Sequence, residues 1–298
     1  MKELISDTFK KIQQEICEEL EVLDGKSTFT EDVWERDGGG GGVSRVIKLG
    51  NIIEKGGVNF SAVHGELPEA LQKEFNVENV VFYATGVSIV LHSQNPFVPI
   101  IHMNIRYFEL SNGTYWFGGG IDLTPHYVNP TLAGKFHSHL KNTCDKFHSA
   151  YYSKFKNWAD DYFFITHRNE TRGVGGIFFD QLKDGELSKQ EIFDFVCLVG
   201  RTFLPAYSEQ VQLTKETPFN ENHKQWQLLR RGRYVEFNLV LDRGTKFGLQ
   251  TSGRIESILM SLPSTAGWEY NFIPEANTEE EKTLNWLRKN IDWISYLH

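Results

Sequence analysis

The stretch Ile100–Leu110, IIHMNIRYFEL, places three chemically capable side chains at a spacing of two. In an extended strand, successive side chains point to opposite faces. His102, Asn104 and Arg106 therefore share one face, while Ile101, Met103, Ile105 and Tyr107 share the other. An imidazole can move a proton near neutral pH. An amide orients a partner by donating and accepting, and a guanidinium grips a carboxylate or phosphate at two points. Such a strand is expected to meet an acidic ligand on one side and a core on the other.

Other residues of the same chemistry lie nearby in sequence. Ser88 and His92 share one parity in the preceding strand-like run. Asp122 follows two aromatics and three glycines in WFGGGIDLTP. Two readings of it stand: a turn or helix N-cap aspartate ahead of Pro125, or an anion held inside a cleft for a ligand's N–H groups or positive charge. Arg36, Arg45, Arg106, Arg168, Arg172 and Arg254 sit in glycine-rich or polar contexts and not on plain helix faces; each by itself reads as a surface ion pair, and the set together suggests a small polyanionic ligand. His92, His102, His137 and His167 are spread widely, with no HExxH or closely spaced ligand pair. His137 and His139 are two apart and diverge on a helix. Spacing alone favours core or cleft histidines, with a metal centre as the alternative. The five glycines Gly38–Gly42 lack the Lys-Ser/Thr of a P-loop, and no strand leads into them. A lid or a close backbone approach to a ligand is the expectation there, with Arg36 and Arg45 flanking it.

These residues need elements to hold them. Leu4, Ile5, Thr8, Ile12, Ile16 and Leu20 recur at helical spacing, so residues 1–25 form a helix. The segment after Gly25 reads as irregular. Strand-like runs follow at about 45–53, 80–92 and 100–109, and TYWFGGGIDLTP closes the group. Their connections are too short for helical crossovers, so antiparallel neighbours are expected. A helical block comes next, with Leu132, Phe136, Leu140, Cys144 and Phe147, then Tyr151, Phe155, Trp158 and Tyr162, at helical spacing. Ser188 and Glu191 form a capping box for another helix. RYVEFNLVLDRG alternates like a returning strand, and TEEEKTLNWLRKNIDWISYL reads as a capped amphipathic helix. The fold class is α+β: a single domain, 1–298, with one large, mostly antiparallel sheet flanked by helices on both faces.

Composition sets the outer limits. The 298 residues are 40% hydrophobic and 13% aromatic, a globular composition. A formal charge of -8 argues against general nucleic-acid binding. The three cysteines, Cys17, Cys144 and Cys197, include no CxxC and read as reduced, buried thiols. No apolar run approaches the roughly 18 residues of a membrane span, and the first residues lack a signal-peptide or presequence pattern. A cytoplasmic protein is expected.

Five segments together resemble the oxygen-dependent coproporphyrinogen III oxidase family: WERDGGGGGVSRVI, HMNIRYFE, WFGGGIDLTP, HRNETRGVGGIFFD and GRYVEFNLVLDRGTKFGLQTSGRIESILMSLP. They run in the family's order from about residue 30 to about residue 275. Asp37, His126 and the SGR at 252–254 depart from the family's usual residues without removing a chemical group. The resemblance implies oxidative decarboxylation of two propionates of coproporphyrinogen III to vinyl groups, with O2 consumed and protoporphyrinogen IX, CO2 and hydrogen peroxide formed. It implies substrate contacts at Ser88, Asn104, Ile105, Arg106, Ser252, Gly253 and Arg254, and His102 as proton donor. Asp122 joins His102 as a catalytic candidate, as a central carboxylate able to accept pyrrole N–H bonds. No cofactor beyond O2 is implied as required, since the reduced tetrapyrrole can supply the electrons. A divalent metal at His92, His102, His137 and His167 is the alternative. A homodimer is implied, with contacts in 234–269. No nucleic acid and no transmembrane segment enter this picture.

Overall fold

The computed structural model describes residues 1–250 and 253–297. Helix α1 (Lys2–Asp24) buries Ile5, Phe9, Ile12, Ile16 and Leu20, a stripe at helical spacing, and Leu4 is left exposed. It stops where Gly25 adopts a left-handed conformation and its N–H reaches the Glu21 carbonyl. Six strands then form a meander: β1 (Thr30–Glu35), β2 (Gly40–Lys48), β3 (Ile53–Glu66), β4 (Val81–Ser93), β5 (Ile100–Leu110) and β6 (Tyr115–Thr124). A short helix, α2 (Glu69–Phe75), sits between β3 and β4. Helices α3 (Pro130–Asp145) and α4 (Tyr151–Tyr162) lead to the small pair β7 (Phe164–Ile165) and β8 (Glu170–Thr171). Strand β9 (Gly175–Leu182) then completes a seven-stranded sheet of order β1-β2-β3-β4-β5-β6-β9. Every neighbouring pair in it is antiparallel.

One face of the sheet is the floor of the main core. Val87, Ile89, Ile101, Met103, Ile105 and Tyr107 are fully buried in one cluster with residues of α1, α3 and α5 (Lys189–Thr214). Each large side chain so buried contributes about 1.5–3 kcal/mol. A slip of β5 by one residue would drive His102, Asn104 and Arg106 into that layer, so the hydrophobic face fixes the register of the polar one. Helix α5 opens with the Ser188–Glu191 capping box expected from sequence.

The opposite face is partly roofed by α6 (Glu221–Glu236), a π-helical turn (Phe237–Leu241), α7 (Arg243–Gln250) and α8 (Ile255–Leu259). Here expectation and structure part. RYVEFNLVLDRG is helical, and the buried residues Arg230, Arg231, Tyr234, Phe237 and Asn238 follow a helical spacing. Most of them are polar, so the hydrophobic pattern hid the period. The returning strand is β9 instead.

Other boundaries differ as well. The segment after Gly25 contains β1, and the run at 45–53 spans the β2–β3 turn. The glycine run forms the β1–β2 hairpin turn and the start of β2. Gly39 and Gly40 have φ of 109° and 81°, a turn geometry that side chains resist. At the C-terminal end, α9 (Glu279–Trp286) is capped by Thr278 but stops short, followed by a 3₁₀ turn at Trp293–Tyr296. Cys17, Cys144 and Cys197 are free and buried. Among the described residues, no helix is long and apolar enough to cross a membrane.

Candidate active site

The antiparallel registers align a row of polar residues across the sheet. Asp32 pairs with Ser44, Ser44 with Asn59, Asn59 with Ser88, Ser88 with Asn104, and Asn104 with Gly120. Two residues along, the next row joins Val90, His102, Asp122 and Gly176. Two residues the other way lie Ser61, Gly86, Arg106 and Gly118. Three candidates from one strand thus face the same side as Ser88 and Asp122, each on its own row.

His102 and Asp122 are direct cross-strand partners, with Nδ1 and Oδ1 2.7 Å apart. Asp122 is a mid-strand residue, 1% exposed, which removes the turn or cap reading. Its second partner is Arg172, whose Nη2 donates to Oδ1 at 2.8 Å and to Oδ2 at 2.7 Å. Burial by itself would raise the acid's pKa. The Arg172 charge and the hydrogen bonds from His102 and Arg172 outweigh it, and the carboxyl is held below its ordinary value. Asp122 is therefore an acceptor only, and His102 must present Nδ1–H to it. His102 Nε2 has no protein partner among the described residues, and the side chain is 22% exposed. Asp122 itself lies behind the imidazole, with both oxygens engaged.

Arg106 is 34% exposed. Its guanidinium lies across Gly118, where an added Cβ would stand 2.6 Å from Nε. It donates to Asn104 Oδ1 at 2.8 Å and pairs with Asp180 at 3.0 Å. Gly86, Gly118, Gly120 and Gly176 keep the neighbouring floor free of side chains. At the far end of the polar row, Arg254 donates to Ser257 at 3.0 Å and pairs with Asp32, bridging α8 to the sheet. Gly253 donates its N–H to the Gly248 carbonyl beside Arg254, and Ser252 lies outside the described residues. Ile105 differs from its neighbours: its side chain is fully buried on the core face. Its strand neighbours are Val87 and Gly119, so it serves the row through register and not through side-chain contact.

The four histidines considered for a metal do not meet. His92 is fully buried, Nε2 donating to the Ser261 carbonyl at 2.9 Å, and burial pushes its pKa down to about 3. His137 lies in the helical layer on the core side, with Nδ1 on the Tyr152 hydroxyl and Nε2 on the Val174 carbonyl, both at 3.0 Å. Burial takes it to about 3 as well. His167 sits in the β7–β8 turn, not in a helix, and bonds Glu236 at 2.8 Å. His126 is fully buried against the Pro96 carbonyl. Among the described residues, no group of three or more His, Cys, Asp or Glu is placed to hold a metal ion. These donors do not fit a shared centre.

Several residues of the site were not picked out from the sequence. Phe163, Tyr234 and Phe237 ring the Arg172 guanidinium at 4.4–4.7 Å, and Asn238 accepts from its Nη1 at 2.9 Å. Asp180 and Asn59 complete the surroundings. The parity of β9 would have aligned Phe178 and Asp180 with the polar face, had that strand been recognised. Nothing in the local sequence marks Tyr234 or Asn238, which arrive on a helix and its π-turn.

A family model described as coproporphyrinogen III oxidase matches residues 4–293. The chain is 48% identical over 300 residues to the oxygen-dependent coproporphyrinogen-III oxidase, chloroplastic, of Glycine max, covering 96% of this chain and 77% of that protein. It is 48% identical over 297 residues to coproporphyrinogen-III oxidase 1, chloroplastic, of Arabidopsis thaliana, with 95% and 76% covered. To the oxygen-dependent coproporphyrinogen-III oxidase, mitochondrial, of Homo sapiens it is 49% identical over 296 residues, with 95% and 65% covered.

Proposed function

The chain belongs to the coproporphyrinogen III oxidase family, and from that premise we propose how its polar sheet face performs the reaction. The reaction is the O2-dependent oxidative decarboxylation of two propionates of coproporphyrinogen III to vinyl groups, a step of haem biosynthesis. At each propionate a C–H bond and the bond to the carboxylate carbon break, and a C=C bond forms. CO2 leaves, and two electrons pass to O2. The substrate releases one proton while hydrogen peroxide takes up two, so one proton must be supplied from elsewhere.

His102 is suited to that role. Its Nδ1–H stays on Asp122, and Nε2 is the atom left to pass a proton in the cleft. The Asp122 carboxylate offsets positive charge on the ring from behind. With both oxygens bonded and 1% exposure, Asp122 acts through His102 and not by accepting pyrrole N–H bonds directly. Arg106 holds a propionate, with Asn104 and Ser88 beside it on the next row. Gly253 and Arg254 bind at the other end, with Ser252 kept as a substrate contact on the family resemblance alone, and the glycine floor leaves room for the flexible macrocycle. The observation that carries this reading is the His102–Asp122 pair beside Arg106 on one accessible face. In a turnover assay with coproporphyrinogen III, His102→Ala should lower kcat by about 10²–10⁴-fold. Unchanged turnover would remove His102 from the chemistry.

O2 is proposed as the only co-reactant, with the reduced tetrapyrrole as electron source. Metal analysis of chelator-washed, active protein tests this. The whole of 1–298 is proposed as one domain, acting as a homodimer through 234–269. The exposed Leu239, Val240 and Trp268 lie in that segment and support it. A cytoplasmic location is proposed on the three free, buried thiols. Imaging of the tagged full-length protein tests it.

A further inference from the structure

We propose that Arg172 is the positioning residue of this site: it fixes the plane and place of the Asp122 carboxylate, so that Oδ1 holds His102 by Nδ1 and leaves Nε2 to the cleft. This rests on the reading of His102 and Asp122 given above.

The arginine itself cannot serve the substrate. Its side chain is 2% exposed, against 34% for Arg106. Both terminal nitrogens of its guanidinium are taken by protein groups, and its Nε is buried without a hydrogen-bond partner among the described residues. Nη2 spans both Asp122 oxygens at 2.8 and 2.7 Å, and Nη1 donates to Asn238 Oδ1 at 2.9 Å. The rings of Phe163, Tyr234 and Phe237 lie 4.4, 4.7 and 4.6 Å from Cζ. Two hydrogen-bonding sites fix the guanidinium plane, and three rings fix its position. That plane in turn fixes the carboxylate, whose Oδ1 is shared between Arg172 and His102.

The fold supplies this cage from separate elements. Phe163 ends α4, Tyr234 belongs to α6, and Phe237 and Asn238 begin the π-turn. Phe237 and Asn238, consecutive in the π-turn, are both buried, one with its ring against the guanidinium and the other accepting from it. An arginine needed only for charge balance would not require such control of its plane.

The test is a double-mutant cycle with Arg172→Met and Asp122→Asn in the full-length enzyme, with kcat and KM for coproporphyrinogen III measured on protein shown to be folded by circular dichroism. A misplaced catalytic group typically costs about 10²-fold, so Arg172→Met should lower kcat by that order with KM changed less than about threefold. In the Asp122→Asn background the same substitution should cost less than about threefold, because the group it positions is already disabled. An equal cost in both backgrounds would overturn the proposal, as would a rise in KM at unchanged kcat. Should Arg172→Met alone not fold, Arg172→Lys completes the cycle. It retains the charge but not the fork, and it should lose kcat in the native background only. Full turnover in both His102→Ala and Asp122→Asn would instead reject the underlying site, and this proposal with it. Loss in those two with native kcat in Arg172→Met would reject the positioning role alone.

Discussion

At position 122 a carboxylate is 1% exposed, between a guanidinium and an imidazole. Substituting it therefore tests two things at once. Asp122→Asn should lower turnover by about 10²–10⁴-fold, since the amide no longer holds His102 through a charge. It should also destabilise the fold, because Arg172 is left as an uncompensated buried cation, a loss on the order of 3–5 kcal/mol. Thermal melting and turnover on one preparation separate the two effects; a stable, fully active variant would contradict both. Arg106 is different because it is partly exposed and keeps other partners. Arg106→Ala should raise KM by roughly tenfold or more, each decade being about 1.4 kcal/mol of lost binding, with stability nearly unchanged. Near-native KM would take Arg106 out of the substrate site. His102, Asn104 and Arg106 were legible because a period of two leaves only one face for them. Asp122 was legible as a candidate, but the glycines before it and Pro125 after it suggested a turn. Arg172 looked like one of several anion binders, and its anion is a carboxylate of the same chain, 50 residues away.

Among the elements, the sheet was readable where hydrophobic and polar residues alternate, as in β5 and much of β4, and in β6 from the apolar residues on either side of its glycines. It was not readable in β1, most of β3 and β9, where glycines and polar residues blur the period. The stretch 233–244 reads as a strand because apolar Val235, Phe237, Leu239 and Leu241 alternate with polar residues, whereas the buried face of α6 and its π-turn is made of Arg230, Arg231, Tyr234, Phe237 and Asn238. The glycine floor has its own consequence. A Cβ at Gly118 would meet the Arg106 guanidinium at 2.6–2.8 Å, so Gly118→Ala should push Arg106 off the floor and raise KM while leaving the sheet folded. A native KM would show that the guanidinium finds its place without that space. The end of α6 carries a second prediction. Glu236 bonds His167, Arg168, Arg233 and Trp268, tying the β7–β8 turn and the 268 segment to the roof. Burial by itself would raise its pKa, but these hydrogen bonds and the Arg233 charge lower it from its ordinary 4.5 to about 2. A carboxyl depressed in the folded state adds stability above its ordinary pKa and loses it as pH falls toward the depressed one. The difference in melting temperature between wild type and Glu236→Gln should therefore shrink as pH falls from about 4.5 to about 2. A constant difference across that window would show that the carboxylate's charge is not what these contacts use.

The whole molecule is a sheet with two unlike faces. One is sealed by α1, α3 and α5 and sets the register. The other carries the polar rows and is roofed by elements that reach it late in the chain. This division of labour was legible from one strand, whereas the roof was not, since its contacts join residues far apart in sequence. The segment 234–269 bears on assembly. Sedimentation at working concentration should show a dimer, and fully active monomer would reject the proposed interface. On this face we propose that propionates are oxidised with O2 by way of His102. Wild type and His102→Ala should be incubated with coproporphyrinogen III, with and without O2, and CO2, hydrogen peroxide and protoporphyrinogen IX quantified. In the wild type with O2, two CO2 and two hydrogen peroxide should appear per protoporphyrinogen IX, none should form without O2, and the variant should fall by about 10²-fold or more. Product formation by His102→Ala at the wild-type rate, or by the wild type without O2, would contradict the account.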